Sequence, residues 1–142
     1  MRSFNTMLIE RPSAQIVVAR LNRPERLNAI TFEMFDEFIK LQADVDADND
    51  ARVLVITGDG RAFCAGLDLD QAAELPKMPA AVMLAGQETW ARSVAGFRTM
   101  DKPVIAAVNG AAAGAGMAIA LAADIRVAST SAKFNAAFIG LA

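Results

Sequence analysis

The sequence predicts an α/β fold, and three observations carry that prediction. Short β-branched runs alternate with amphipathic helical stretches, an order that requires crossover connections between strands. The run 53–57 (VLVIT) has no charged residue, the pattern of a strand buried on both faces. Glycine- and alanine-rich turns follow the apolar runs at 58–66 and 109–116, where a strand would end and a helix begin.

The elements follow in order. MLIE and QIVVAR flank Pro12-Ser13 as the two arms of a hairpin. LNRPERLNA is a polar loop containing a proline. Thr31 is placed to cap a helix over 32–47, in which Met34, Phe35, Phe38, Ile39, Leu41, Gln42 and Val45 recur at helical spacing. DADNDAR ends that helix and VLVIT follows as a strand. GDGRAFCAG reads as a loop, LDLDQAAEL as a short helix or turn, and Pro79 opens a helix running to about residue 100. VIAAV (104–108) is a strand, Asn109-Gly110 a turn, and AGMAIALAA a helix beginning at Gly114 or Ala115. DIRVAS is a further short strand, and AKFN another.

Composition bounds the function. The 142 residues suit one domain; 54% are hydrophobic but only 6% aromatic, so the core is built mostly of aliphatic side chains and alanine. Such an apolar fraction is high for a small monomer and suggests surface reserved for a partner or for further chain. The net charge of −2, with no basic arm, argues against a nucleic-acid partner. With a single cysteine, Cys64, no internal disulfide forms, which fits a reducing compartment; with no continuous apolar leader, the expected location is cytoplasmic. There is no histidine, so Ser-His-Asp and Cys-His mechanisms and most zinc sites are excluded, and neither a metal nor a separate cofactor is expected.

Residues 103–123 (PVIAAVNGAAAGAGMAIALAA) carry no charge over a length that would cross a bilayer. Asn109-Gly110 divides the stretch, alanine dominates it, and its flanks lack a basic bias or aromatic anchors, so no membrane span is expected. A phosphate-binding loop is excluded because no lysine follows the glycines, and Ile119 stands where a dinucleotide fingerprint needs its third glycine. Two readings remain for Gly114, Ala115 and Gly116: a helix start with exposed N–H groups, or close helix–sheet packing. The loop GDGRAFCAGLDLD repeats the logic, with a strand end, a glycine-rich turn and a small residue, Ala65, before Gly66. Two such strand ends can aim two N–H donors at one point, which is an oxyanion hole.

LNRPERLNAI, GRAFCAGLDL, KPVIAAVNGAAAGAG, AADIRVAS and AKFN stand here in the order and spacing of the crotonase family, the enoyl-CoA hydratase/isomerase superfamily. The chain resembles the N-terminal half or so of such a protein. The resemblance implies a spiral of ββα units, incomplete here, with residues 1–142 forming the N-terminal part of the core domain and a C-terminal trimerisation region lying beyond it. It implies an acyl-CoA substrate, with coenzyme A entering only as part of that substrate, a role in fatty-acid or related acyl-CoA metabolism, and a homo-oligomer, either a trimer or a dimer of trimers. By motif position it assigns the oxyanion donors to the backbone N–H groups of Ala65 and Ala115. It assigns coenzyme A contacts to Arg26, Leu27, Ala29, Ala65, Gly66, Leu67, Asp68 and Leu69.

The family pattern fails at its acids. Typical hydratases use two glutamates; the matching positions here are Ala118 and Phe138, neither of which can move a proton. Asp68 is the remaining candidate acid, weighed against a role as helix cap. Cys64 is a small core residue or a thiol beside the hole, Glu74 and Glu88 fall on helix surfaces or a flexible lid, and Asp124 with Arg126 reads as a structural turn or ion pair. An isomerisation or another enolate-forming step is therefore expected ahead of classical hydration. The alternatives are an acyl-CoA-binding protein without catalysis and a fragment that needs partner chains to fold.

Overall fold

A computed structural model describes residues 2–137. The hairpin is present as β1 (Met7–Ser13) and β2 (Ile16–Leu21), antiparallel with an irregularity before Ser13. A 3-10 turn over Pro24–Arg26 carries the chain to α1 (Phe32–Ala47). Thr31 caps α1 as expected, its hydroxyl accepting from the Met34 N–H at 3.1 Å, a contact of about 1 kcal/mol.

The rest of the chain builds a spiral by repetition. The strand β3 (Val53–Gly58) is followed by β4 (Ala62–Cys64), β5 (Val104–Val108) by β6 (Ala111–Ala113), and β7 (Ile125–Ala128) by β8 (Lys133–Asn135). The first strand of each pair joins a five-stranded sheet of order β1-β2-β3-β5-β7, and the second joins a three-stranded sheet of order β4-β6-β8. All pairings after the hairpin are parallel. Helices occupy the crossovers: α2 (Leu69–Ala72) and α3 (Ala80–Thr99) between β4 and β5, and α4 (Ala115–Ala122) between β6 and β7. The uncharged stretch 103–123 is thus split into strand, corner, strand and helix. No helix among the described residues is long and apolar enough to cross a membrane.

The corners between the sheets are held by asparagines. Asn109 accepts from the Gly58 N–H and donates to the carbonyls of Gly60 and Ala62, tying the β5–β6 corner to the β3–β4 corner. Asn28, fully buried at φ 56°, accepts from the Arg23 N–H and donates to Asp59 and Ala62. The core lies between the large sheet and α1, with Phe38 meeting Phe97 of α3 edge-on at 5.4 Å. Gln42 of α1 donates to the Ser93 carbonyl of α3 at 2.6 Å, and a Cβ on Gly96 would fall 2.2 Å from the Gln42 amide oxygen. Glycine is what lets the two helices cross at this distance.

From sequence, β4 and β6 read as parts of the glycine- and alanine-rich turns. Each is three residues, Ala-Phe-Cys and Ala-Ala-Ala, too short for any periodicity to show, and each exists because the parallel ladder of the second sheet recruits it. Asp124 and Arg126 form a structural turn without pairing with each other: Asp124 accepts from the Val104 N–H, and Arg126 donates to the Ala123 carbonyl at the end of α4.

β7 pairs only with β5 among the described residues, and Ile125 and Val127 on it are 52% and 61% exposed. A parallel strand open on both faces and along one edge is a template for association. The chain is expected to self-associate as its concentration rises, and Val127→Lys to shift sedimentation velocity profiles toward the monomer. Identical profiles for both proteins would place the association elsewhere.

Candidate functional site

The two glycine-rich corners touch. Gly66 has φ +97°, and a Cβ there would fall 2.9 Å from the Ala113 carbonyl oxygen and 3.5 Å from the Ala115 nitrogen. Gly116, at the start of α4, lies so close to β4 that a Cβ would meet the Cys64 carbonyl at 2.3 Å. Both glycines bring backbone against backbone, so close packing and a helix start with accessible N–H groups are features of the same structure.

Backbone hydrogen bonds decide which donors are free. The Ala65 N–H donates to the Leu27 carbonyl at 3.0 Å, so the expectation of a free donor at Ala65 is corrected. Two residues on, Ile30 donates to the Gly66 carbonyl at 2.7 Å and accepts from the Asp68 N–H at 2.9 Å, forming a one-residue parallel bridge with Leu67 between the two contacts. Alternation along an extended backbone turns the Leu67 N–H away from Ile30. It has no acceptor among the described residues, and neither does the N–H of Ala115, the first residue of α4.

Leu67 stands where two clefts meet. One, of about 760 Å³, is lined by Phe35, Leu67, Trp90, Val94, Ala115 and Ala118 with other residues of α3 and α4, and is almost wholly apolar. The other, of about 470 Å³, carries Arg26, Leu27, Ala29, Ala65, Leu67 and Leu69 from the expected coenzyme A contacts, together with Glu25, Arg61 and Asp70. Gly66 lies buried behind this cleft and shapes it without lining it.

Asp68 is not placed as an acid. It is 2% exposed; its Oδ2 accepts from Arg23 at 2.9 Å, and its Oδ1 from Arg26 at 3.1 Å and from the Asp70 N–H at 3.0 Å, which caps α2. Burial raises its pKa, but the hydrogen bonds from Arg26, Arg23 and the Asp70 backbone outweigh burial and hold it below the ordinary carboxylate range. Asp68 is therefore ionised at neutral pH and has no proton to give. Because its folded pKa is depressed, its stabilising contribution is present above the unfolded pKa and is lost as pH falls through the folded value. Asp68→Asn is expected to cost about 2 kcal/mol at neutral pH, with the gap from the parent closing as pH falls below the ordinary carboxylate range. Urea melts of both proteins across that range measure it; a gap independent of pH would show that the charge is immaterial.

Arg26 is engaged on the protein side, donating also to Asp70 at 2.6 Å, and these carboxylates raise its pKa. Arg61 of the same cleft has no carboxylate partner among the described residues, and this cation was not singled out from sequence. Cys64 is buried, and burial pushes its thiol up to about 12, which leaves it protonated and unreactive at neutral pH. Glu74 is exposed and pairs with Lys77, and Glu88 is exposed on α3; neither lines the apolar cleft. Ala118 does line it, so the position that the family resemblance matches to the first glutamate faces the cleft with a methyl group. Phe138 lies outside the described residues. Among the described residues no cluster of metal ligands occurs.

Comparisons with known proteins bear on this arrangement. A sequence model of the family described as enoyl-CoA hydratase/isomerase matches residues 11–141. A probable enoyl-CoA hydratase of Mycobacterium tuberculosis is 42% identical over 96% of this chain and 50% of its own length. The 1,2-epoxyphenylacetyl-CoA isomerase of Escherichia coli is 42% identical over 87% of this chain and 47% of its own. The crystal structure of an enoyl-CoA hydratase from Polaromonas superposes with a TM-score of 0.88 at 33% identity, covering 95% of this chain and 52% of that one. The chain thus spans about half the length of the relatives it matches, and its fold is that of their crotonase-type structures.

Proposed function

The chain belongs to the enoyl-CoA hydratase/isomerase family, and from that premise we propose that it binds an acyl-CoA thioester at the junction of the two clefts and stabilises the thioester enolate there. The observation that carries this reading is the pair of unpartnered N–H groups, at Leu67 and Ala115, on two touching corners that both line the apolar cleft. Two such donors, fixed before substrate arrives, stabilise the charge that develops on the thioester oxygen. Coenzyme A lies along the second cleft, its phosphates drawn to Arg61 and Arg26, and the acyl group lies in the first.

Stabilising an enolate is half of the chemistry, since a proton must also move. Ala118 cannot move it, Asp68 is held ionised between two arginines, and Cys64 is buried and protonated. The proton-transfer group is then supplied from outside the described residues, and an isomerase-like or other enolate-forming step fits this site better than hydration through two acids. The same observation at Ala118 supports a second reading, an acyl-CoA-binding protein that does not turn over its ligand. Incubation with crotonyl-CoA, a 3-enoyl-CoA and a dienoyl-CoA separates them. Double-bond migration without hydration supports the first reading and binding without turnover the second; failure to bind any acyl-CoA would overturn both.

A further inference from the structure

Resting on this acyl-CoA reading, we infer that the 3′-phosphate of coenzyme A is held in a third cleft, between Arg61 and Lys133, apart from the arginine–aspartate pairs beside Leu67. This cleft, of about 350 Å³, opens at the corners that join the two sheets and shares Leu27 and Arg61 with the cleft assigned to the coenzyme. The diphosphate and the 3′-phosphate hang from two carbons of one ribose, so the groups that hold them must be neighbours. A cation common to both clefts, Arg61, meets that requirement.

The ladder of the small sheet builds the notch. Ala62 of β4 pairs with Ala111 of β6, and Ala111 pairs with Lys133 of β8. Adjacent strands lie about 4.8 Å apart, so the Lys133 backbone stands about 10 Å from the strand that Arg61 leads into. The floor between them is low. Ala111 is exposed with only a methyl group, and a Cβ on Gly110 would fall 2.1 Å from the Arg61 carbonyl oxygen, so no larger side chain closes the floor there. Arg61 and Lys133 are exposed on either side of it, and neither pairs with a carboxylate among the described residues. Ser131 adds a hydroxyl to the lining. Its oxygen lies 2.9 Å from the Ser129 hydroxyl; with Ser129 donating, the Ser131 O–H turns toward the notch.

Charge decides between the two clefts. The coenzyme cleft sets Glu25 and Asp70 against Arg26 and Arg61, and Arg26 is already shared between Asp68 at 3.1 Å and Asp70 at 2.6 Å. A phosphate monoester carries close to two negative charges at neutral pH, and beside Arg26 it would stand against Asp70. Among the described residues no acid lines the notch, where the same group meets two cations and a hydroxyl donor. The diphosphate, with one charge on each phosphorus, is the part of the coenzyme left near Arg26.

Calorimetric titration of the chain with butyryl-CoA and with butyryl-3′-dephospho-CoA tests this. The parent is expected to bind butyryl-CoA about tenfold more tightly, the effect of two exposed ion pairs, and that ratio should shrink as salt is raised. Lys133→Gln should lower the ratio to about threefold by weakening butyryl-CoA alone, with the dephospho thioester bound as before. Lys133→Arg, which keeps the charge, should retain the parent's ratio. Equal affinity of the parent for the two thioesters, or an undiminished ratio in Lys133→Gln, would overturn this inference and leave the acyl-CoA reading standing, whereas binding of neither thioester would overturn that reading itself. Tightening in Asp70→Asn confined to the thioester with the 3′-phosphate would also overturn the inference, placing that phosphate at Arg26.

Discussion

Crotonyl-CoA mixed with the purified chain is expected to gain water no faster than in buffer alone. Each positioned acid or base contributes about 100- to 10,000-fold to a proton-transfer reaction, and the resemblance matches the two acid positions to Ala118 and Phe138. Ala118 faces the cleft from the first turn of α4, so Ala118→Glu returns a carboxylate to a site where a thioester held by Leu67 and Ala115 is within reach. That variant should recover hydration measurable by loss of the enoyl absorbance, well below the rate that two acids would give. Robust hydration by the unmodified chain would mean that an acid set aside above, Asp68 first among them, is catalytic.

Ala115→Pro should remove one oxyanion donor at little cost to the fold. Proline is well tolerated at the first position of a helix, where the missing N–H has no intrahelical partner, and the Ala115 N–H has none among the described residues. Loss of one such donor costs about 100- to 1000-fold in rate, and a loss of similar size is expected in affinity for the enolate of a 3-ketoacyl-CoA, followed by its ultraviolet absorbance. Thermal melting and the affinity for CoA itself should change little. The control is Ala65→Pro, which breaks the Ala65–Leu27 bond and should lower stability instead. Equal enolate affinity in the parent and Ala115→Pro would remove Ala115 from the hole.

Elements with strong local signals were legible in the sequence. Thr31 followed by apolar residues at helical spacing marks α1, and Asn109-Gly110 divides the uncharged stretch where β5 ends. The order of strands and helices, with the quoted motifs, was enough to reach the spiral. The short strands β4 and β6 were hidden because three residues, Ala-Phe-Cys or Ala-Ala-Ala, have no pattern of their own; the neighbouring strands make each of them a strand. The free donor was misplaced for a related reason. Ala65 and Leu67 differ by two residues, and which N–H remains unpaired depends on Leu27 and Ile30, some 37 positions earlier in the chain. Arg26 was visible as a cation in a loop, but its commitment to Asp68 and Asp70, which leaves Arg61 as the freer charge in the cleft, depends on the fold.

The most direct measurement is a crystal structure of the chain with a saturated acyl-CoA bound. The thioester oxygen should lie about 2.7–3.1 Å from the nitrogens of both Leu67 and Ala115, with the Ala65–Leu27 hydrogen bond intact and the acyl chain between α3 and α4. A thioester oxygen held by Ala65 after that bond has opened, or a thioester bound away from the junction of the two clefts, would contradict the site described here.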